Sequence, residues 1–98
     1  MNYKDIYEKW GIPYIEIGSG ILIESFMAAD VIDQIYENDF NFLGYDAFVV
    51  LSDGKRQPKM EYCENHGNKY RSNFEAINSF NDHSSDVTHY EFVFRPKA

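Results

Sequence analysis

The chain has a single cysteine, Cys63, in 98 residues. No internal disulfide framework is possible, and one thiol fits a reducing compartment. Proline is sparse, at three residues, so regular elements can run between breakers. Long apolar runs are missing. None approaches the roughly 20 residues that span a bilayer. The start, Met1-Asn2-Tyr3-Lys4-Asp5, lacks a basic stretch followed by an apolar one, as a secretory signal would have. The expectation is a soluble, cytoplasmic protein.

Positive charge is the most informative shortage. Nine Lys and Arg stand against sixteen Asp and Glu, for a net charge of −7. Nucleic acid and anionic membrane are poor partners for such a surface, because both need a basic footprint. The deficit is also localised. Between Trp10 and Gly54 there is no Lys, Arg or His. That stretch holds Glu16, Glu24, Asp30, Asp33, Glu37, Asp39, Asp46 and Asp53. The remaining residues carry every cation and are close to neutral.

What is present suits one packed core. Hydrophobic residues make up 44% and aromatics 17% of the chain, which is enough for a globular fold and too much for a disordered chain. At this length one core forms and two do not, so residues 1–98 read as a single domain.

Periodicity supplies the elements. Tyr3, Ile6, Tyr7 and Trp10 lie on one helical face, with Gly11 and Pro13 as the stop. Tyr14 to Ile17 is rich in strand formers, and Gly18-Ser19-Gly20 punctuates it. Ile21 to Ile23 fits either a strand end or a helix lead-in. A helix is expected from Phe26 to Asn38, with Met27, Ala28, Val31, Ile32 and Ile35 as its buried stripe and Ser25 as its N-cap. Asn38 to Phe42 reads as a short loop. Tyr45 to Leu51 reads as a strand. Asp53-Gly54 then signals a hairpin with Arg56 to Cys63 as the return strand.

A two-residue turn there would set Leu51 opposite Arg56, Ala47 opposite Met60, Tyr45 opposite Tyr62 and Asp46 opposite Glu61. Pro58, which cannot donate to a ladder, and the facing carboxylates both argue for a longer loop and another register. Ser72-Asn73-Phe74-Glu75 is a capping box that opens a helix burying Phe74, Ile77 and Phe80. Thr88 to Arg95 alternates, with Tyr90, Phe92 and Phe94 on one side. The whole predicts an α+β domain. Its antiparallel sheet is covered by helices on one face, in β-α-β-β-α-β order, preceded by a short N-terminal helix. A ferredoxin-like fold has this order. Apolar residues on the uncovered face, whether Phe48, Val50 or the aromatic strand Tyr90, Phe92 and Phe94, would favour a homodimer or another partner.

Signals for chemistry are weak. Cys63 and His66 are three apart, but no second ligand pair or orienting group accompanies them. Gly18-Ser19-Gly20 lacks the further residues of a phosphate loop. No catalytic, cofactor or metal residue is nominated, and the chain does not read as an enzyme.

The acids are the better lead. Asp30, Asp33 and Glu37 follow at three and four residues, where like charges repel. Glu37 and Asp39 sit at a helix C-terminus, where the dipole disfavours anions. A cationic partner would relieve both costs, and Asp30, Asp33, Tyr36, Glu37, Asp39 and Phe40 are the candidate contacts, with Phe40 as an aromatic anchor. The alternative is a small structural or regulatory module whose acidic face is only solvated.

The stretch Phe42-Leu43-Gly44-Tyr45-Asp46-Ala47-Phe48-Val49-Val50, the Asp53-Gly54 turn and the segment Pro58 to Cys63 resemble small immunity proteins of bacterial polymorphic-toxin systems. The resemblance covers the middle third of the chain. It implies an inhibitor that binds a cognate basic toxin directly, captured electrostatically and held over its active site.

Overall fold

A computed structural model describes residues 2–59, 73–78 and 87–97. The elements are α1 (Tyr3–Trp10), β1 (Ile15–Ile17), β2 (Gly20–Glu24), a 3₁₀ turn (Ser25–Met27), α2 (Ala28–Glu37), β3 (Phe40–Val50), β4 (Arg56–Pro58), α3 (Asn73–Asn78) and β5 (His89–Pro96). The domain is α+β, with one five-stranded antiparallel sheet in the order β1-β2-β5-β3-β4.

Helix α1 forms where its apolar spacing places it, and both ends are satisfied locally. The Asn2 side chain accepts the amides of Lys4 at 3.0 Å and Asp5 at 3.4 Å. At the other end Gly11 has φ 70°. Its amide donates to Glu8 O and the Ile12 amide to Tyr7 O, the paired bonds of a Schellman motif. Ile12 and Tyr7, brought together by that turn, both enter the core.

The two segments before α2 form a hairpin, with Ile17 opposite Gly20 across the Gly18-Ser19 turn. The expected single strand is therefore two, and the order after α1 among the described residues is β-β-α-β-β-α-β. The last strand, β5, lies inside the sheet between β2 and β3. In a ferredoxin-like sheet the last strand occupies an edge. Ser25 is not an N-cap. The helix is entered through the 3₁₀ turn with no side-chain cap, and the Ser25 amide donates to Thr88 O at 2.9 Å.

Helix α2 buries Ala28, Val31, Ile32 and Ile35 of the expected stripe, whereas Met27 lies in the 3₁₀ turn and is half-buried. Fully burying each of the larger three contributes about 1.5–3 kcal/mol. They pack in one cluster with Tyr7 and Ile12 of α1, Ala76 of α3, and Ile23, Tyr45, Tyr90, Phe92 and Phe94 of the sheet. All three helices thus lie on the same face of the sheet. The capping box is consistent with α3 beginning at Asn73; Ser72 and Phe80 lie outside the described residues.

Strand β3 begins five residues before the expected Tyr45. The register slips between Phe42 and Gly44, so Phe42 and Tyr45, three apart, both point inward and stack with centroids 6.3 Å apart. This bulge breaks the period of two and makes the first half of the strand look like a loop. Only Asn38 and Asp39 connect α2 to β3.

The hairpin that follows pairs Val50 with Arg56, Val49 with Gln57 and Phe48 with Pro58. This is one residue away from the two-residue register, as Pro58 foreshadowed. The Gly54 amide donates to Leu51 O at 2.9 Å and the Leu51 amide to Lys55 O at 2.8 Å. Gly54 has φ 84°. A three-residue loop with a left-handed last residue results. Met60, Glu61, Tyr62 and Cys63 lie outside the described residues.

Candidate functional site

The acids of α2 line a groove rather than a flat face. Asp30, Asp33 and Glu37 form one wall, and Trp10, Gly11 and Ile12 at the end of α1 form the other, with Met27 between them. The enclosed volume is about 330 Å³. The spacing of three and four along α2 aligns the carboxylates. The Schellman turn after Trp10 brings the end of α1 against them.

Two ion pairs join described residues. Lys4 meets Glu16 at 2.9 Å, and Arg56 meets Glu91 at 3.8 Å. Neither reaches Asp30, Glu37 or Asp39. Lys69 and Arg71 lie outside the described residues.

The other candidate contacts are dispersed around this groove. Asp39 is exposed at the turn after α2, with φ 60°. Tyr36 is half-buried and packs against the core. Phe40 is in β3, not in a loop. Its ring stands edge-on to Trp10 at 5.8 Å and to Phe94 at 5.2 Å. It lines a second recess of about 200 Å³ with Ile6, Lys9, Trp10 and Asn38. Trp10 therefore borders both recesses, and Phe40 lies across it from the acids.

Trp10 is the residue that sequence reasoning missed. Its place in the apolar stripe of α1 marked it as core, and it is only half-buried. The signal available was its position as the last residue of that stripe, next to a helix stop. Nothing in the local sequence says that α2 lies beside it.

Among the described residues no three His, Cys, Asp or Glu side chains are grouped to hold a metal ion. No helix among them is long and apolar enough to cross a membrane. Cys63 and His66 lie outside the described residues.

No protein-family model, curated protein or solved structure matches this chain.

Proposed function

We propose that this domain is a binding protein of the immunity or inhibitor type, which captures a basic toxin domain in the α1/α2 groove. The observation that supports this reading is the groove itself. Three carboxylates face a half-buried indole across a 330 Å³ recess, in a segment with no cation of its own between Trp10 and Gly54. A lysine or arginine of the partner would gain charge from α2 and an aromatic face from Trp10. The acids would raise the rate of encounter, and the indole with Phe40 beyond it would anchor the complex. The role needs no catalytic group and belongs in the cytoplasm beside the toxin's target.

The test pairs this protein with the basic domain encoded in an adjacent toxin-type reading frame. Association is followed by stopped flow across a salt series. The expected result is a rate that falls steeply with salt. The double reversal Asp30→Lys and Glu37→Lys, both at exposed positions, lowers the association rate at least tenfold and leaves the thermal midpoint nearly unchanged. A rate indifferent to salt and to both reversals refutes the groove as the docking surface and favours a merely solvated acidic face.

A further inference from the structure

Among the described residues the most exposed large apolar side chain is Phe26, at 74%; the next, Leu51, is at 42%. Phe26 lies in the 3₁₀ turn Ser25–Met27, at the entrance of α2. Its neighbour Met27 packs against the core cluster and lines the α1/α2 groove, and Phe26 does neither. A phenyl ring left in water contributes nothing to the core. One exposed apolar residue is ordinary on a protein surface, and what distinguishes Phe26 is its place.

Phe26, Asp30, Asp33 and Glu37 follow at four, three and four residues, the spacing that keeps side chains on one side of a helix. The ring therefore heads the row of carboxylates, one turn before Asp30. Ala29, three residues on, is exposed, and its small side chain leaves that flank of the ring open. Glu24 and Asp30, two residues before the ring and four after it, are both exposed. No Lys, Arg or His occurs in this stretch, from Trp10 to Gly54.

The charge selects what can cover the ring. A second copy of the chain would set its own acids against these, and each copy carries a net charge of −7. An anionic lipid surface is repelled for the same reason. A basic protein surface is attracted, and an apolar recess among its cations would desolvate the ring. Charges at the rim of such a contact act on the rate of encounter, whereas a buried aromatic at its centre acts on residence time.

We infer that Phe26 is the apolar anchor of the docking surface, entering a recess on a basic protein domain that is rimmed by lysine or arginine side chains. The inference rests on the reading of the α1/α2 groove as the surface that captures a toxin. It adds the residue that holds the complex once the acids have brought the partner in.

Two measurements test it. The first titrates the full chain with an amino-β-cyclodextrin, which has an apolar cavity that admits a phenyl ring and a rim of ammonium groups, and follows the amides by NMR. Saturable shifts are expected at Phe26, Ala29 and Asp30, with an affinity at least about threefold above that of neutral β-cyclodextrin. They vanish in Phe26→Ala. Shifts centred elsewhere, shifts that persist in Phe26→Ala, or equal affinity for the neutral ring overturn the inference.

The second adds Phe26→Ala and Phe26→Leu to the stopped-flow series with the basic domain of the adjacent toxin-type reading frame. Phe26→Ala raises the dissociation rate about tenfold or more. It leaves the association rate and its salt slope within about twofold, and the thermal midpoint does not move. Phe26→Leu recovers most of the residence time. An unchanged dissociation rate in Phe26→Ala, while Asp30→Lys with Glu37→Lys slows association, overturns this inference and leaves the groove reading standing. Association indifferent to salt and to those reversals overturns the groove reading and this inference with it.

Discussion

The Tyr3 hydroxyl donates to the carbonyl of Phe94 at 3.0 Å and accepts the amide of the same residue at 3.3 Å, across 91 residues of chain. One side chain of the first helix thus satisfies both backbone groups of a residue in the last strand. The Tyr3 ring also stands edge-on to the Phe94 ring at 4.9 Å. Tyr3→Phe keeps the ring and removes both bonds. A loss of about 1–2 kcal/mol is expected, read in urea as a lower midpoint with an unchanged slope.

Two helix ends give opposite expectations for the same backbone shape. Gly11 and Asp39 both have positive φ, at 70° and 60°. Glycine takes that conformation without strain and aspartate does not. Gly11→Ala should destabilise by about 1 kcal/mol, while Asp39→Gly should stabilise by about 0.5–1 kcal/mol. Thermal midpoints decide both. If Asp39 also contacts a partner, Asp39→Gly will be more stable and slower to associate, so the two properties separate.

His89 makes stability depend on pH. Its imidazole is held below its ordinary value of 6.5, chiefly by burial, with the Glu24 carboxylate opposing. The unfolded chain therefore takes up the proton first as pH falls. Above 6.5 the residue has no effect; below it, stability declines until the folded form is protonated too. Between about pH 7 and 5, wild type should lose more stability than His89→Gln. Glu24→Gln should lower the imidazole further and steepen the loss. Equal slopes for wild type and His89→Gln would refute this.

Arg56 covers the face of the sheet that carries no helix. Its guanidinium lies over Phe48 at 5.0 Å, and Phe48 is buried despite facing away from the core cluster. The buried Nη1 has no hydrogen-bond partner and meets Glu91 only at 3.8 Å, so packing outweighs pairing in its contribution. Arg56→Met should keep stability within about 1 kcal/mol, whereas Arg56→Ala should lose about 1–2 kcal/mol and expose Phe48 to dye binding. Gly20→Ala acts on the same contact, because a methyl group there would collide with the guanidinium. Its cost should be largely absent in an Arg56→Met background, as a double-mutant cycle would show.

Regular stretches of the sequence led to the right elements, and irregular ones did not. α1 and the buried stripe of α2 followed from spacing, since a helix repeats within four residues. The alternation put Tyr90, Phe92 and Phe94 on one side of β5 but left open whether that side was covered; the structure makes it the buried one. β3 was read as half its length because the slip near Gly44 puts Phe42 and Tyr45 on one side. The Asp53-Gly54 signal marked a turn, but Pro58 was the better guide to its register. For the groove, the sequence showed the row of acids and the lack of any Lys, Arg or His between Trp10 and Gly54. It did not give Trp10 as the facing wall.

Local chain chemistry alone decided where α1 and α2 run, which faces they bury, and that the carboxylates between Trp10 and Gly54 have no cation of their own stretch beside them. Those properties depend on neighbours within a turn or two. Tertiary structure decided that β5 fills the middle of the sheet, that Tyr3 serves Phe94, and that Trp10 lines one groove with Asp30 and Glu37. Each joins residues far apart in the chain. Such contacts are fixed by how the faces of the elements fill one shared core, and no short stretch of sequence contains that information.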